Sequence, residues 1–256
     1  MPLWVDCHTH IDGLSDAEQH EVVDRALSAG VRWMINASDD QASWHRVLKL
    51  VERFSDIYGN LGVHPHHAKD VTEQTYEALK SALGHSKIVA VGEIGLDFYY
   101  ENSPRVTQIE VFDRQMDLAM KIKMPVIVHH RESSNEIVNC MQKFCARGLR
   151  GMIHCFSGSW AFAKELLDMG LYVSFSGILT FRNALDIRDV AMKIPLDRVL
   201  LETDSPYLAP APVRGTTNEP KNLVFTAQYL AEMRKLPLSD LSDQILRNSR
   251  TLFGVP

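Results

Sequence analysis

Eight short apolar runs, most separated by stretches of helical periodicity, restrict the folds open to this chain more than any other feature. They read "LWVDCHTH", "VRWMINAS", "IYGNLGVHP", "KIVAVGEIGLD", "MPVIVHHR", "RGMIHCFSG", "LYVSFSG" and "RVLLETDSPY". Strands that are apolar almost throughout and alternate with helices argue for a parallel sheet covered on both faces. Eight such units fit a (β/α)8 barrel, which takes about 250 residues, in a chain of 256. A doubly wound open sheet would carry a glycine-rich phosphate loop after its first strand, and none follows "VDCHTH". With no linker, low-complexity tract or repeat, one α/β barrel domain over residues 1–256 is expected.

Start and stop signals mark the helices. Ser15 with Glu18 forms a capping box, and Gly30 closes that helix. Ser103 before Pro104 predicts an N-cap ahead of Ile109, Phe112, Met116 and Met120. Ser133 with Glu136 predicts another box before Ile137, Met141 and Phe144, and Gly170 ends a further helix. Two more helical stretches follow the eighth run, at 223–236 and 239–253.

In such a barrel the active site lies at the carboxyl ends of the strands. Eight of the 11 histidines fall at four of those ends: His8 and His10; His64, His66 and His67; His129 and His130; and His154. Glu93 ends the fourth run and Asp204 the eighth. Imidazoles with carboxylates converging from several strands are what a catalytic metal site needs. An unpaired carboxylate in an apolar strand such as "VAVGEIGLD" is otherwise costly. In a regular strand Asp6, His8 and His10 share one face. The same alternation points His130 away if His129 points in, and puts Glu202 on the face of Asp204, where it reads as a residue that orients a ligand. His66 and His67 read as loop residues, and Asp97 as a structural acid.

Composition restricts the partners. Net charge is −5, whereas a non-specific duplex binder carries a broad basic excess, so any nucleic-acid contact is local. Cys7, Cys140, Cys145 and Cys155 lack C-x-x-C spacing and read as reduced, mostly buried thiols. No apolar run reaches spanning length and none before Asp6 fits a signal peptide. A soluble cytoplasmic protein without membrane contact, a monomer or weak oligomer, is expected.

With these residues in place, the chain closely resembles the TatD family of metal-dependent deoxyribonucleases, among the amidohydrolase-like barrels. The resemblance runs nearly end to end through Asp6-x-His8-x-His10, Gly62-x-His64-Pro65 and Gly92-Glu93-x-Gly95-Leu96-Asp97. It continues through His129-x-Arg131, His154 to Gly158, Glu202 to Asp204 with Pro206, and Arg214-Gly215 with Asn218 to Pro220. It implies two divalent cations per subunit, Zn, Mn or Mg. His8, His10 and Asp204 hold one, His129 and His154 the other, and Glu93 bridges them. It also implies that His64, Arg131 and the Asn218–Glu219 loop line the substrate cleft. Thr216-Thr217 departs from the basic residues that many relatives carry there, which weakens the case for phosphate contacts in that loop.

The activity so implied is exonucleolytic hydrolysis of phosphodiester bonds from DNA ends, single-stranded or frayed. A metal-activated water attacks, Glu93 bridges, and Asp204 acts as general base. Two alternatives use the same site: removal of D-amino acids from mischarged tRNA, and hydrolysis of a small ester, amide or lactone. A metal-stabilised scaffold without activity is disfavoured by the complete ligand set and the well-placed aspartate.

Overall fold

The computed structural model of the protein describes residues 2–255. Its strands are β1 (Trp4–Thr9), β2 (Val31–Asn36), β3 (Ile57–Leu61), β4 (Ile88–Asp97), β5 (Val126–Arg131), β6 (Gly151–Ile153), β7 (Tyr172–Phe175) and β8 (Val199–Leu201). All neighbours pair in parallel, in chain order from β1 to β8. Just beyond β8 the sheet returns to β1: the Asp204 amide donates to His8 O at 2.9 Å and the His10 amide to Ser205 O at 2.7 Å. The expected (β/α)8 barrel is what the chain builds.

The helices are α1 (Asp16–Ser28), α2 (Gln41–Arg53), α3 (Glu73–Ala82), α4 (Arg105–Ile122), α5 (Ser134–Cys145), α6 (Trp160–Asp168), α7 (Leu185–Lys193), α8 (Leu223–Arg234) and α9 (Leu238–Phe253). The capping box of Ser15 and Glu18 forms as read. Two other caps do not. Helix α4 begins after Pro104 with no side-chain cap, because the Ser103 hydroxyl donates to His66 O and accepts from the Lys69 amide. Ser133 precedes α5, but its hydroxyl donates to Leu96 O instead. Both serines tie the mouth of the barrel together, a long-range use that local spacing does not reveal.

Val5, Ile35, Ala90, Ile127, Met152 and Leu200 come from six strands and form one buried cluster with Leu252 and Phe253 of α9. Residues from so many strands of a closed sheet meet only in its interior. A larger buried layer joins the strands' outer faces to the helices. With one end of the bore apolar and closed by α9, the polar residues at the strands' carboxyl ends are left as the site. All four cysteines are free, Cys7 and Cys140 buried, Cys145 and Cys155 half-buried. No helix among the described residues is long and apolar enough to cross a membrane.

Candidate metal centre

Two bulges aim the central side chains. From Asp6 to Thr9, β1 advances three residues while β2 advances two, from Met34 to Asn36. From Val91 to Ile94, β4 likewise holds one residue more than its partner segment Val126 to Val128. Such bulges re-aim side chains beside active sites, and these contain His8 and Glu93. Asp6 therefore does not join the two histidines, contrary to strict alternation. Its carboxylate accepts the Thr203 amide at 2.9 Å, the Thr203 hydroxyl and the His8 amide, and so ties β1 to the segment after β8.

Glu93 lies at the middle of the site, 3% exposed, and its two oxygens serve different histidines. Oε2 is 3.2 Å from His8 Nε2 and 3.9 Å from His10 Nε2. Oε1 is 2.7 Å from His129 Nδ1, 2.7 Å from His154 Nε2 and 3.5 Å from His64 Nε2. Asp204 Oδ1 closes the first group, 3.6 Å from His10 Nε2 and 3.9 Å from His8 Nε2.

These groups fit divalent cations. The Nε2 atoms of His8 and His10 face each other at 3.1 Å, close to the roughly 3.3 Å edge of a tetrahedron whose nitrogens sit at about 2.0–2.1 Å from the ion. Nitrogens aimed at one point in this way repel unless a cation or proton lies between them. The outer nitrogens of the second pair have carboxylate neighbours: His129 Nε2 is 3.2 Å from Asp97 Oδ2, and His154 Nδ1 is 3.4 Å from Glu202 Oε1. Carboxylates behind imidazoles fix ring orientation and raise ligand basicity. His8, His10 and Asp204 form one ligand-capable group, and Glu93 joins others with His8 and His154, with His64 and His129, and with His10 and Asp39.

Without metal, burial and charge oppose each other. Burial alone would raise the Glu93 pKa, but the imidazoles of His154 and His64 and hydrogen bonds from His129 and His154 hold it well below the carboxylate range. Burial would likewise lower that of His154, yet Glu93 and Glu202 push it well above its ordinary value. Burial, with the like charge of His154, drives His8 down to about 4. It raises Asp204 to about 7, against the attraction of His154 and His10.

His64 approaches the same Glu93 oxygen, but its tautomer sets it apart. Its Nδ1 accepts the His66 amide at 3.2 Å, so the neutral ring carries its hydrogen on Nε2 and presents a donor instead of a lone pair. Burial keeps it neutral, with a pKa near 3. Asp97, read as a structural acid, acts at the site itself, because it contacts both His129 and His66. His66 is correspondingly more than a loop residue. His130 turns away, its Nε2 2.9 Å from Ser134 Oγ and its ring on Phe162. Arg131 is exposed at the lip of a cleft also lined by His129, His154, Asp204 and Tyr207.

Asn218 does not reach the cleft as a free polar group. Its Nδ2 donates to Thr203 O and Tyr207 O at 3.0 and 2.7 Å, and its Oδ1 accepts from the Glu219 amide and Asn222 Nδ2, each at 3.0 Å. Its hydrogen bonds build the loop that carries Tyr207. Asp39, beside His10 Nδ1 at 3.9 Å, had no signal in the spacing, because it follows β2, whose end carries no histidine.

The family profile described as TatD related DNase matches residues 5–254. The chain belongs to the TatD family. It is 35% identical over 251 residues to the uncharacterized metal-dependent hydrolase YabD of Bacillus subtilis, covering 98% of each chain. To the uncharacterized metal-dependent hydrolase YcfH of Escherichia coli it is 35% identical over 255 residues, covering 98% of this chain and 96% of the relative. The crystal structure of the E. coli TatD homologue YjjV superposes with a TM-score of 0.93 at 31% identity, covering 99% of this chain and 98% of that one. The protein is thus a metal-dependent hydrolase of the TatD family, and its His, Glu and Asp clusters are able to bind metal.

Proposed function

We propose that this TatD-family hydrolase is a deoxyribonuclease that releases nucleotides from single-stranded or frayed DNA ends. The observation that carries the reading is the division of Glu93, one oxygen towards His8 and His10, the other towards His129 and His154. A carboxylate so divided suits a pair of ions, with His8, His10 and Asp204 holding one and His129 and His154 the other. When bound, two divalent ions lower the pKa of a water from 15.7 towards roughly 7 and neutralise charge on a phosphoryl oxygen.

The chain's own residues supply the rest. The Asp204 carboxylate takes the proton of the attacking water as general base. His64, neutral with its hydrogen on Nε2, donates to an oxygen of the scissile group. The Arg131 guanidinium offers a flat fork of N–H donors matched to a phosphodiester. An ester substrate, such as a D-aminoacyl-tRNA, is the second reading. It is favoured by Thr216-Thr217, where a phosphate-binding loop would carry basic residues.

The test is a screen of protein reconstituted separately with Zn, Mn and Mg against single-stranded DNA, duplex DNA and D-aminoacyl-tRNA. Shortening of single-stranded DNA from its ends, with slower attack on blunt duplex, is expected. Inert DNA alongside rapid deacylation would replace the first reading with the second.

A further inference from the structure

Strand β4 ends at Asp97, whose side chain has two tasks. Oδ2 holds the His129 ring, while Oδ1 accepts the backbone amides of Tyr99 at 3.1 Å and Tyr100 at 2.9 Å. Gln108 clamps the same turn, accepting from the Asp97 amide at 2.9 Å and donating to Asp97 O and Ser103 O at 3.0 and 2.8 Å. The turn is therefore pinned to the metal centre, and it displays two tyrosines that are 54% and 53% exposed. Their rings meet edge to face at 4.8 Å.

The Arg131 guanidinium lies over both, 4.3 Å from the Tyr99 centroid and 4.6 Å from that of Tyr100. The acid nearest in sequence to the tyrosines, Glu101, is taken by Arg105. Among the described residues Arg131 has no carboxylate partner and only the aromatic rings hold it. A guanidinium fixed by cation–π contact, with its donors free, can bind an anion without first breaking an ion pair. An exposed aromatic face beside it takes any base, because every base has a π-face.

We propose that Tyr99, Tyr100 and Arg131 form a seat for a nucleotide of the substrate strand, the guanidinium binding its phosphate and the tyrosine rings its base. The proposal rests on the deoxyribonuclease reading and adds two positioning residues that also select for a base. Of the three, Arg131 lines the cleft that holds His129, His154 and Asp204, so a strand whose phosphate it binds leads into the centre.

The test measures calorimetric binding of two short strands with nuclease-resistant phosphorothioate linkages, of equal length and charge, one base-bearing and one abasic. The full chain is used, metal-loaded, as wild type, Tyr99→Ala/Tyr100→Ala, Tyr99→Phe/Tyr100→Phe and Arg131→Gln. Wild type should favour the base-bearing strand by about tenfold or more. The Ala pair should bind both strands alike at unchanged melting temperature, and the Phe pair, which keeps the rings, should restore the preference. Arg131→Gln should weaken both strands and reduce the log–log salt slope by about 0.7. An Ala pair as selective as wild type, or a Phe pair that restores nothing, overturns the seat. A wild-type chain that binds neither strand overturns the deoxyribonuclease reading and takes the seat with it, a distinct result because no strand then binds at all.

Discussion

Asp204 holds a backbone conformation few residues accept, with φ at +54°. Asp and Asn tolerate this left-handed region better than most side chains, so Asp204→Asn isolates the carboxylate from the fold. The amide keeps one oxygen for the ion but has no basic carboxylate to take the proton. Turnover of a short single-stranded DNA should fall by on the order of 10²–10⁴, with little change in melting temperature or strand binding. His20→Asn, at an exposed histidine on α1, should be silent. Near-wild-type turnover with metal intact would remove Asp204 as the base, and activity lost only together with metal would leave it a ligand. The residues brought together at the centre were legible in the sequence because they occupy strand ends in recognisable motifs. The roles of His64 and Asn218 were less so. A tautomer depends on which amide faces Nδ1, and Asn218 is absorbed by carbonyls 15 and 11 residues away in the chain, partners that no spacing names.

At the level of elements, the eight strands and most of the helices between them follow from periodicity, since apolar runs and amphipathic stretches report burial directly. The bulges at His8 and Glu93 do not, because one extra residue in a strand leaves the hydrophobic pattern almost unchanged. The caps read at Ser103 and Ser133 went astray for a related reason: a hydroxyl that matches a local cap was recruited by a distant carbonyl. Gly95 shows how tightly β4 and β5 are locked. Its φ is +139°, and a Cβ there would collide with the His129 carbonyl oxygen. Gly95→Ala should therefore push apart the strands that carry Glu93 and His129. A loss beyond about 4 kcal/mol is expected, or failure to accumulate in soluble form, with metal content falling in whatever folds. Gly13→Ala, with open space around the new methyl group, is the control. Equal melting temperatures for the two variants would mean that the β4–β5 pairing relaxes more easily than its close approach implies.

The whole molecule carries a net charge of −5 and compensates much of its basic charge locally. On the outer helices Lys121 pairs with Asp117, Lys164 with Asp168 and Lys193 with Asp189. Two cations at the mouth sit on aromatic rings: Arg131 on Tyr99 and Tyr100, and Arg214 on Phe181 at 3.7 Å. Arg182 is exposed next to that phenylalanine. A strand end meeting these three residues would displace few counterions. Each neutralised phosphate adds about 0.7–0.9 to the slope of log affinity against log salt, so a slope of magnitude below about 4 is expected for single-stranded DNA. Removing Arg182 and Arg214 together should lower it by roughly 1.4, two phosphates at about 0.7 each, and leave the melting temperature in place. A slope near −8 would require an extended basic track, which the paired lysines on the outer helices do not supply. That value, measured on metal-loaded protein with a nuclease-resistant strand, would replace end recognition with binding along the length of the strand.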